Sequence, residues 1–219
     1  MSKVSHHPAI GSLEDYAAGR LDEARAVVIA SHLALCSECS AAVSKIEALG
    51  GHLLETVEPV AMAVDALEKV LARADGAAAS VMQNTVAADA PPEDRLPLSA
   101  LLKGSIDDVK WRPVAPGLSQ SVIEAQGYRE GVLRLLKIAP GVKIPPHTHK
   151  GSELTLILRG AYRDEIGEFR AGDLADLDGE HTHTPEAFGD EPCICLIATD
   201  APLAFKTLTG KIVQPFVGL

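Results

Sequence analysis

The spacing of apolar residues changes once along this 219-residue chain, from a helical period to the short runs typical of strands. Over residues 1–74 apolar side chains recur every three or four positions, which predicts amphipathic helices. Residues 75–96 are rich in Ala, Pro and polar residues and predict a linker. From residue 97, runs of branched residues alternate with Gly, Pro and Asp turns, as in an all-β barrel or sandwich. We therefore expect two domains, all-α over 1–74 and all-β over 97–219.

Start and stop signals in the sequence predict four helices in the first domain. Ser12 is a candidate cap for the first helix and Asp22 for the second. The third helix is expected to begin at Ser37 and to end at the glycine pair 50–51, because glycine commonly ends helices. The fourth is expected after Pro59, with an apolar face that can serve either a partner or the packing of the domain itself.

Charge and composition exclude several classes of function. The chain has 30 acidic and 20 basic residues, a formal charge of −10, and residues 1–95 hold 14 acidic against 7 basic residues. A nucleic-acid surface needs clustered Lys and Arg, so we expect no direct nucleic-acid contact and a basic protein partner instead. No apolar run approaches the roughly 18 to 20 residues that span a bilayer, and the N-terminus lacks a signal-peptide stretch. These features predict a cytoplasmic protein without membrane contact, whose four cysteines are metal ligands or buried thiols.

His32, Cys36 and Cys39 form an H-x3-C-x2-C pattern at the boundary of the second and third predicted helices. His32 and Cys36 lie on one helix face, and Cys39 lies where the next helix begins, so the three side chains can meet. Zinc in structural sites takes four tetrahedral nitrogen and sulfur ligands. The fourth ligand must come from elsewhere, and three histidines are candidates: His6, His7 and His52. The alternative interpretation is two buried thiols beside a surface histidine.

Together with the tetrapeptide Tyr-Ala-Ala-Gly at 16–19, this pattern resembles the zinc-binding anti-sigma family. In that family the motif binds zinc together with one upstream histidine, and the helical domain wraps a group IV (extracytoplasmic-function, ECF) sigma factor. For this chain the resemblance implies four zinc ligands: His7, His32, Cys36 and Cys39. His6 is a close alternative to His7. Aromatic residues are only 4% of the chain, so the helical domain has a thin core that zinc would stabilise.

Residues 141–160 follow the pattern G-x5-H-x-H-x3-E-x6-G, which is the first motif of the cupins with every spacing met. His147 and His149 alternate along a strand, so both point to one face of it. Glu153 returns on the next strand and adds an oxygen ligand. The pattern predicts a metal site inside the barrel.

The second cupin motif begins at Gly172 and is degenerate. His183 falls at its ligand position, with His181 as a rival two residues earlier. Three positions depart from the pattern: Asp178, Glu180 and Ala187. A set of three histidines and one glutamate can hold zinc or another divalent transition metal, and the residues do not choose between them. The alternative is a metal-free barrel with hydrogen-bonded histidines.

The order of the two parts resembles the ChrR-type anti-sigma factors, which join the zinc-binding helical domain to a C-terminal cupin, a double-stranded β-helix or jelly-roll barrel. The resemblance covers essentially the entire chain. It implies a regulator without turnover that sequesters one ECF sigma factor and so inhibits transcription. The cupin would then act as the sensor or gate for an oxidative signal, singlet oxygen among them.

Two other functions are alternatives to this one. A metal-dependent cupin dioxygenase or isomerase, with the zinc domain for docking, would use open coordination positions of the barrel metal. A DNA-binding zinc module is disfavoured by the acidic first half. Cys193 and Cys195 share one strand face, either as a reactive pair or, in the interpretation we favour, as small apolar core residues.

Overall fold

The computed structural model describes residues 4–81, 96–102, 104–123, 131–149, 151–178, 182–199 and 203–205. The helical elements in these ranges comprise five α-helices and a 3-10 turn at Ile106–Asp108. The α-helices have these bounds: α1 Ile10–Ala17, α2 Glu23–Leu35, α3 Ser37–Glu55, α4 Ala66–Val81 and α5 Leu98–Leu102. An N-terminal all-α region therefore precedes the β-rich region, as the periodicity predicted.

The β-rich region forms antiparallel sheets that close a barrel of the cupin type. The strands have these bounds: β1 Arg112–Ala115, β2 Leu118–Ile123, β3 Val132–Ile138, β4 His147–His149, β5 Glu153–Arg159, β6 Ala161–Arg163, β7 Glu168–Arg170, β8 Leu174–Leu177, β9 Glu186–Phe188, β10 Cys193–Thr199 and β11 Leu203–Phe205. One sheet has the order β1-β2-β3-β10-β5-β8, a second has the order β7-β6-β9, and β11 pairs with β4. The predicted all-β cupin fold is confirmed.

The two predicted helix caps have different outcomes. Asp22 is confirmed as the cap of α2, because its side chain accepts a hydrogen bond from the backbone N–H of Arg25 at 3.0 Å. Ser12 is wrong as a cap, since α1 begins at Ile10 with Ala9 before it and without a side-chain cap. The Ser12 hydroxyl instead donates to Asp176 of β8 at 2.6 Å. The side chain that the local sequence predicts as a helix cap is therefore used in a contact with the barrel.

The third and fourth helices are both shifted from their expected bounds. The glycine pair 50–51 does not end α3, which continues to Glu55. α4 begins at Ala66 rather than soon after Pro59, and it runs through residues 75–81, which the sequence predicted as the start of the linker. An Ala-rich run has high helix propensity even where the apolar periodicity fades. Residues 82–95 of the expected linker lie outside the described residues.

The helices and the barrel share one hydrophobic core. Val28 and Ile29 of α2 are fully buried and belong to the same cluster as Leu156 of β5 and Leu196 of β10. Leu98 of α5 is also fully buried in this cluster. A second cluster fills the interior of the barrel. Helix α2 thus covers the outer face of the large sheet, and Cys36 and Cys39 belong to the first of these clusters.

Strand β10 shows the effect of this covering helix. All seven of its residues are buried. Leu196 belongs to the core cluster that is shared with the helices, whereas Cys193 and Cys195 belong to the cluster inside the barrel. A strand that is buried on both faces reads as a continuous apolar run rather than an alternating one.

Within the described residues, no single helix is long and apolar enough to cross a membrane. One pair, α2 with α3, passes that test by length and composition together, but it is bent by 117°.

Candidate metal centre

Four side chains predicted as zinc ligands lie together where α2 meets α3. His32 is in the last turn of α2, Cys36 caps the N-terminus of α3, and Cys39 lies in the first turn of α3. His7 reaches the same point from the segment that precedes α1. One ligand atom of each residue lies within 4.8 Å of the other three. Nδ1 of His7 is 3.4 Å from Sγ of Cys36 and 3.3 Å from Sγ of Cys39.

His32 is held as a neutral imidazole with one nitrogen turned to the cluster. Its Nδ1 lies 3.0 Å from the carbonyl oxygen of Gly172, and since a carbonyl only accepts, Nδ1 carries the proton. Its Nε2 is buried and has no hydrogen-bond partner among the described residues. Burial lowers the pKa of His32 from 6.5 to about 4, and the hydrogen bond to Gly172 only partly opposes this. A neutral ring with a lone pair on Nε2 is the form that ligates metals.

The two thiols lie beside each other at the start of α3. The backbone N–H of Cys39 donates to Sγ of Cys36 at 3.5 Å. Burial, followed by the hydrogen bond and the charge of Cys36, raises the pKa of Cys39 from 9.0 to about 12. A bound divalent cation reverses this effect, because it deprotonates coordinating thiols outright. Buried thiols, an orphaned imidazole nitrogen and a second histidine are thus a donor set that can hold a metal ion.

The rival histidines lie elsewhere. The ring of His6 stacks on Phe169 with centroids 4.1 Å apart, and its Nδ1 is 3.6 Å from a carboxylate oxygen of Asp173. His52 is exposed near the end of α3, 3.9 Å from Glu55. Neither belongs to the group of four, so the structure brings His7 and not His6 or His52 to the cysteines.

Three of the predicted cupin ligands line a cavity of about 30 Å³ inside the barrel: His147, Glu153 and His183. The ring centroids of the two histidines are 4.5 Å apart. Nδ1 of His147 donates to the carbonyl of Pro145 at 2.8 Å, so Nε2 is the atom that this ring would offer to a metal. The side chain of His149 and the whole of His181 lie outside the described residues. Within the described part of the chain, the cavity does not bring three ligand atoms as close together as the first cluster does.

Two polar residues of the barrel site were not singled out by sequence reasoning. Asp164 accepts from Nδ1 of His183 at 3.0 Å; although burial raises its pKa, hydrogen bonds from His183 and from the amides of Ile166 and Gly167 hold it below the usual range. Arg134 is buried in the cavity wall, where desolvation lowers its pKa and the charge of Glu153 opposes the fall. A lone Arg in the apolar run of β3 is the signal in the sequence that could have identified this inward-facing polar residue.

Comparison with known proteins gives matches to both halves of the chain. The sequence model described as the ChrR cupin-like domain matches residues 102–202. The anti-sigma-E factor ChrR of Cereibacter sphaeroides is 42% identical over 213 residues, which cover 97% of this chain and 98% of that protein. The crystal structure of Rhodobacter sphaeroides SigE in complex with the anti-sigma ChrR contains a chain with 40% identity and a TM-score of 0.75. That match covers 90% of this chain and 100% of the other.

Proposed function

Because the chain belongs to the family of ChrR-type anti-sigma factors, we propose that it binds a group IV (ECF) sigma factor. In this complex the sigma factor cannot reach RNA polymerase, so transcription from its promoters is inhibited. The full-length identity to a curated anti-sigma factor carries the proposal, because it spans the helical region, the barrel and the connection between them. The chain is then a cytoplasmic regulator that acts by binding, without turnover and without direct contact with nucleic acid.

An exposed apolar surface on the helical region supports the proposal. Among the described residues, ten of the fourteen exposed large apolar side chains lie between residues 49 and 71. They comprise the second half of α3, the segment that follows it and the start of α4. Leu54 is 72% exposed and Val60 is 86% exposed. So many exposed large apolar side chains along one stretch support a protein interface there, and we name residues 49–71 the apolar surface.

Charge supports the choice of a basic partner. Residues 1–95 hold twice as many acidic as basic residues, 14 against 7. Oppositely charged surfaces steer encounter and disfavour wrong partners. A sigma factor carries basic surfaces for DNA, so an acidic helical region is complementary to it in charge. The same acidic region repels the nucleic acid itself.

We propose zinc for the cluster of His7, His32, Cys36 and Cys39. Two thiolates and two imidazoles are a tetrahedral set typical of structural zinc. Bound there, zinc would supply folding free energy to a region with a thin core. The chain's own contribution is to hold the N-terminal segment, the end of α2 and the start of α3 at one point.

We propose the barrel as the sensor or gate that releases the sigma factor after an oxidative signal, with singlet oxygen as the candidate signal. His147, His149, Glu153 and His183 would hold zinc or another divalent transition metal there. Support comes from the cavity that three of these residues line, and from the shared core, through which a change in the barrel can reach α2.

The direct test is co-expression of the full chain with each ECF sigma factor of the same genome, followed by affinity capture and size-exclusion chromatography. We expect a one-to-one complex with one of them, and loss of transcription from its promoters in a purified system. The absence of a stoichiometric complex with every candidate would overturn the proposal.

A further inference from the structure

A single turn of the barrel, between β7 and β8, contacts the chain at His32 of the candidate metal cluster and at His6, the residue directly before His7. The carbonyl of Gly172 in this turn accepts the hydrogen bond from Nδ1 of His32 at 3.0 Å. The next residue, Asp173, accepts from the backbone N–H of His6 at 3.0 Å, directly before His7. One short piece of the barrel therefore holds the ring of His32 directly and the backbone next to His7.

Asp173 binds the N-terminal segment more extensively than its own turn. Its carboxylate accepts from the backbone N–H of Ser5 at 2.6 Å and from the Ser5 hydroxyl at 3.2 Å. Within the turn it accepts from the N–H of Arg170 at 2.8 Å. On the other side of the turn, the N–H of Leu174 donates to the carbonyl of His6 at 3.1 Å. The backbone of His6 is thus held through both its N–H and its C=O.

The same segment is also in contact with the barrel interior. The ring of His6 lies 4.1 Å from that of Phe169, and Phe169 stacks on Tyr162 with centroids 4.8 Å apart. Tyr162 lines the cavity that holds His147 and Glu153. Side chains in direct contact therefore lead from this cavity to the residue before His7.

We propose that Gly172 and Asp173 are positioning residues for the metal centre, through which the barrel sets how tightly the helical region holds its metal. Gly172 fixes the ring orientation and tautomer of His32, and Asp173 fixes the backbone that presents His7. Partners of this kind commonly change metal affinity by about 10- to 100-fold when they are removed. The inference rests on the metal binding proposed above, and it does not depend on the sigma factor.

The test uses the full chain and Co²⁺ as the probe, because thiolate ligands give cobalt a charge-transfer absorption band. Cys36→Ser identifies the band that belongs to this cluster. We expect Asp173→Ala to raise the Co²⁺ dissociation constant by about 10- to 100-fold, and Asp173→Asn, which keeps one acceptor oxygen, to raise it less. Asp107→Asn is the matched control, since Asp107 pairs with Arg159 on the exposed side of the barrel and its loss leaves cobalt binding unchanged.

A second variant tests the same contact without altering the barrel. Ser5→Ala removes the hydroxyl that donates to Asp173, and we expect about a threefold to tenfold weaker Co²⁺ binding, the usual effect of one hydrogen bond. If Asp173→Ala and Ser5→Ala bind Co²⁺ as tightly as the unmodified chain, the proposal is overturned, even if they unfold at a lower temperature. If the unmodified chain gives no thiolate band, the proposed metal binding itself is wrong.

Discussion

The imidazole of His32 donates a hydrogen bond from Nδ1 to the carbonyl oxygen of Gly172, 140 residues later in the sequence, over 3.0 Å. The bond joins the last turn of α2 to the β7–β8 turn of the barrel. It lies beside the shared core in which Val28 and Ile29 of α2 contact the large sheet. The candidate metal centre therefore lies at the contact between the helices and the barrel, and both parts determine its geometry.

Replacing Gly172 by Ala tests this relationship. Gly172 has φ of +98°, where residues with a side chain are strained, and an added Cβ would lie 3.0 Å from Cγ2 of Val4. We expect Gly172→Ala to lower the free energy of unfolding by about 1–2 kcal/mol. We expect the strained turn to adjust relative to His32, which weakens the hydrogen bond from Nδ1 of His32 to its carbonyl and with it the binding of Co²⁺.

Gly189→Ala separates the two effects. Gly189 has a similar φ of +96°, but an added Cβ meets no atom within 4 Å. We expect Gly189→Ala to have the same kind of backbone strain but an unchanged affinity for Co²⁺. Equal cobalt affinities in the two variants would show that the turn at Gly172 does not act on the metal centre. Denaturant unfolding and cobalt titration measure the two quantities.

Replacing Cys36 and Cys39 by Ser removes both sulfur ligands of the proposed zinc site. We expect the double variant to contain one metal ion fewer per chain, to unfold at a lower temperature and to lose the sigma-factor complex. A structural zinc site contributes to the free energy of folding, so we expect the helical region to be less stable without it and to hold its partner surface less well. Elemental analysis of the purified chain and affinity capture give the two readouts.

Cys193→Ser is the matched control for this pair. Cys193 is also a fully buried thiol, but it lies in β10 inside the barrel cluster. It is expected to destabilise the barrel while the metal content of the helical region stays constant. Retention of zinc by the double variant at Cys36 and Cys39 would contradict the assignment of the site.

The metal cluster was predictable from sequence because three of its members are close in the chain. His32, Cys36 and Cys39 lie across one helix boundary, so their spacing alone brings them together. The choice between His6 and His7 was not open to local reasoning from the sequence, and only the resemblance favoured His7. The structure brings His7 to the cysteines because the neighbouring His6 stacks on Phe169, a residue far away in the sequence.

Long-range contacts explain the other differences between expectation and structure. The Ser12 hydroxyl reads locally as a cap, yet it bonds Asp176 of the barrel. Apolar spacing extended the fourth helix back to Val60, although the helix begins at Ala66 and Val60 is exposed. The burial of β10 on both faces depends on the packing of α2 against it. No pattern within the strand shows that α2 is the element that covers it.

Charged substitutions on the apolar surface are expected to abolish the sigma-factor complex without unfolding the chain. Leu53 of α3 and Leu67 of α4 are 58% and 70% exposed, so Leu53→Glu and Leu67→Glu should change the free energy of unfolding by no more than about 0.5 kcal/mol. A buried charge in the complex costs far more, and affinity capture should fail. Val122→Glu is the control, because Val122 is 57% exposed but lies on β2 of the barrel. Retention of the complex by Leu53→Glu and Leu67→Glu would place the interface elsewhere, and its loss in Val122→Glu as well would show that the effect is not specific to the apolar surface.

The stability of the metal-free chain is expected to fall with pH between 6.5 and 4. Burial lowers the pKa of His32 from 6.5 to about 4 in the folded chain. In this window the unfolded chain binds a proton at His32 and the folded chain does not, so acid favours unfolding. The contribution of the neutral His32 ring to the free energy of unfolding is fully present above pH 6.5. It is lost as the pH falls to 4, a change of about 3 kcal/mol.

His32→Gln isolates this contribution. The Gln side chain keeps an N–H donor for the carbonyl of Gly172 but does not titrate, whereas all other ionisable groups are the same in both chains. After removal of metal with a chelator, denaturant unfolding is measured at intervals from pH 7 to pH 4. The unmodified chain should lose stability more steeply than His32→Gln, by the equivalent of about one proton. Parallel curves for the two chains would show that His32 is not held neutral by burial.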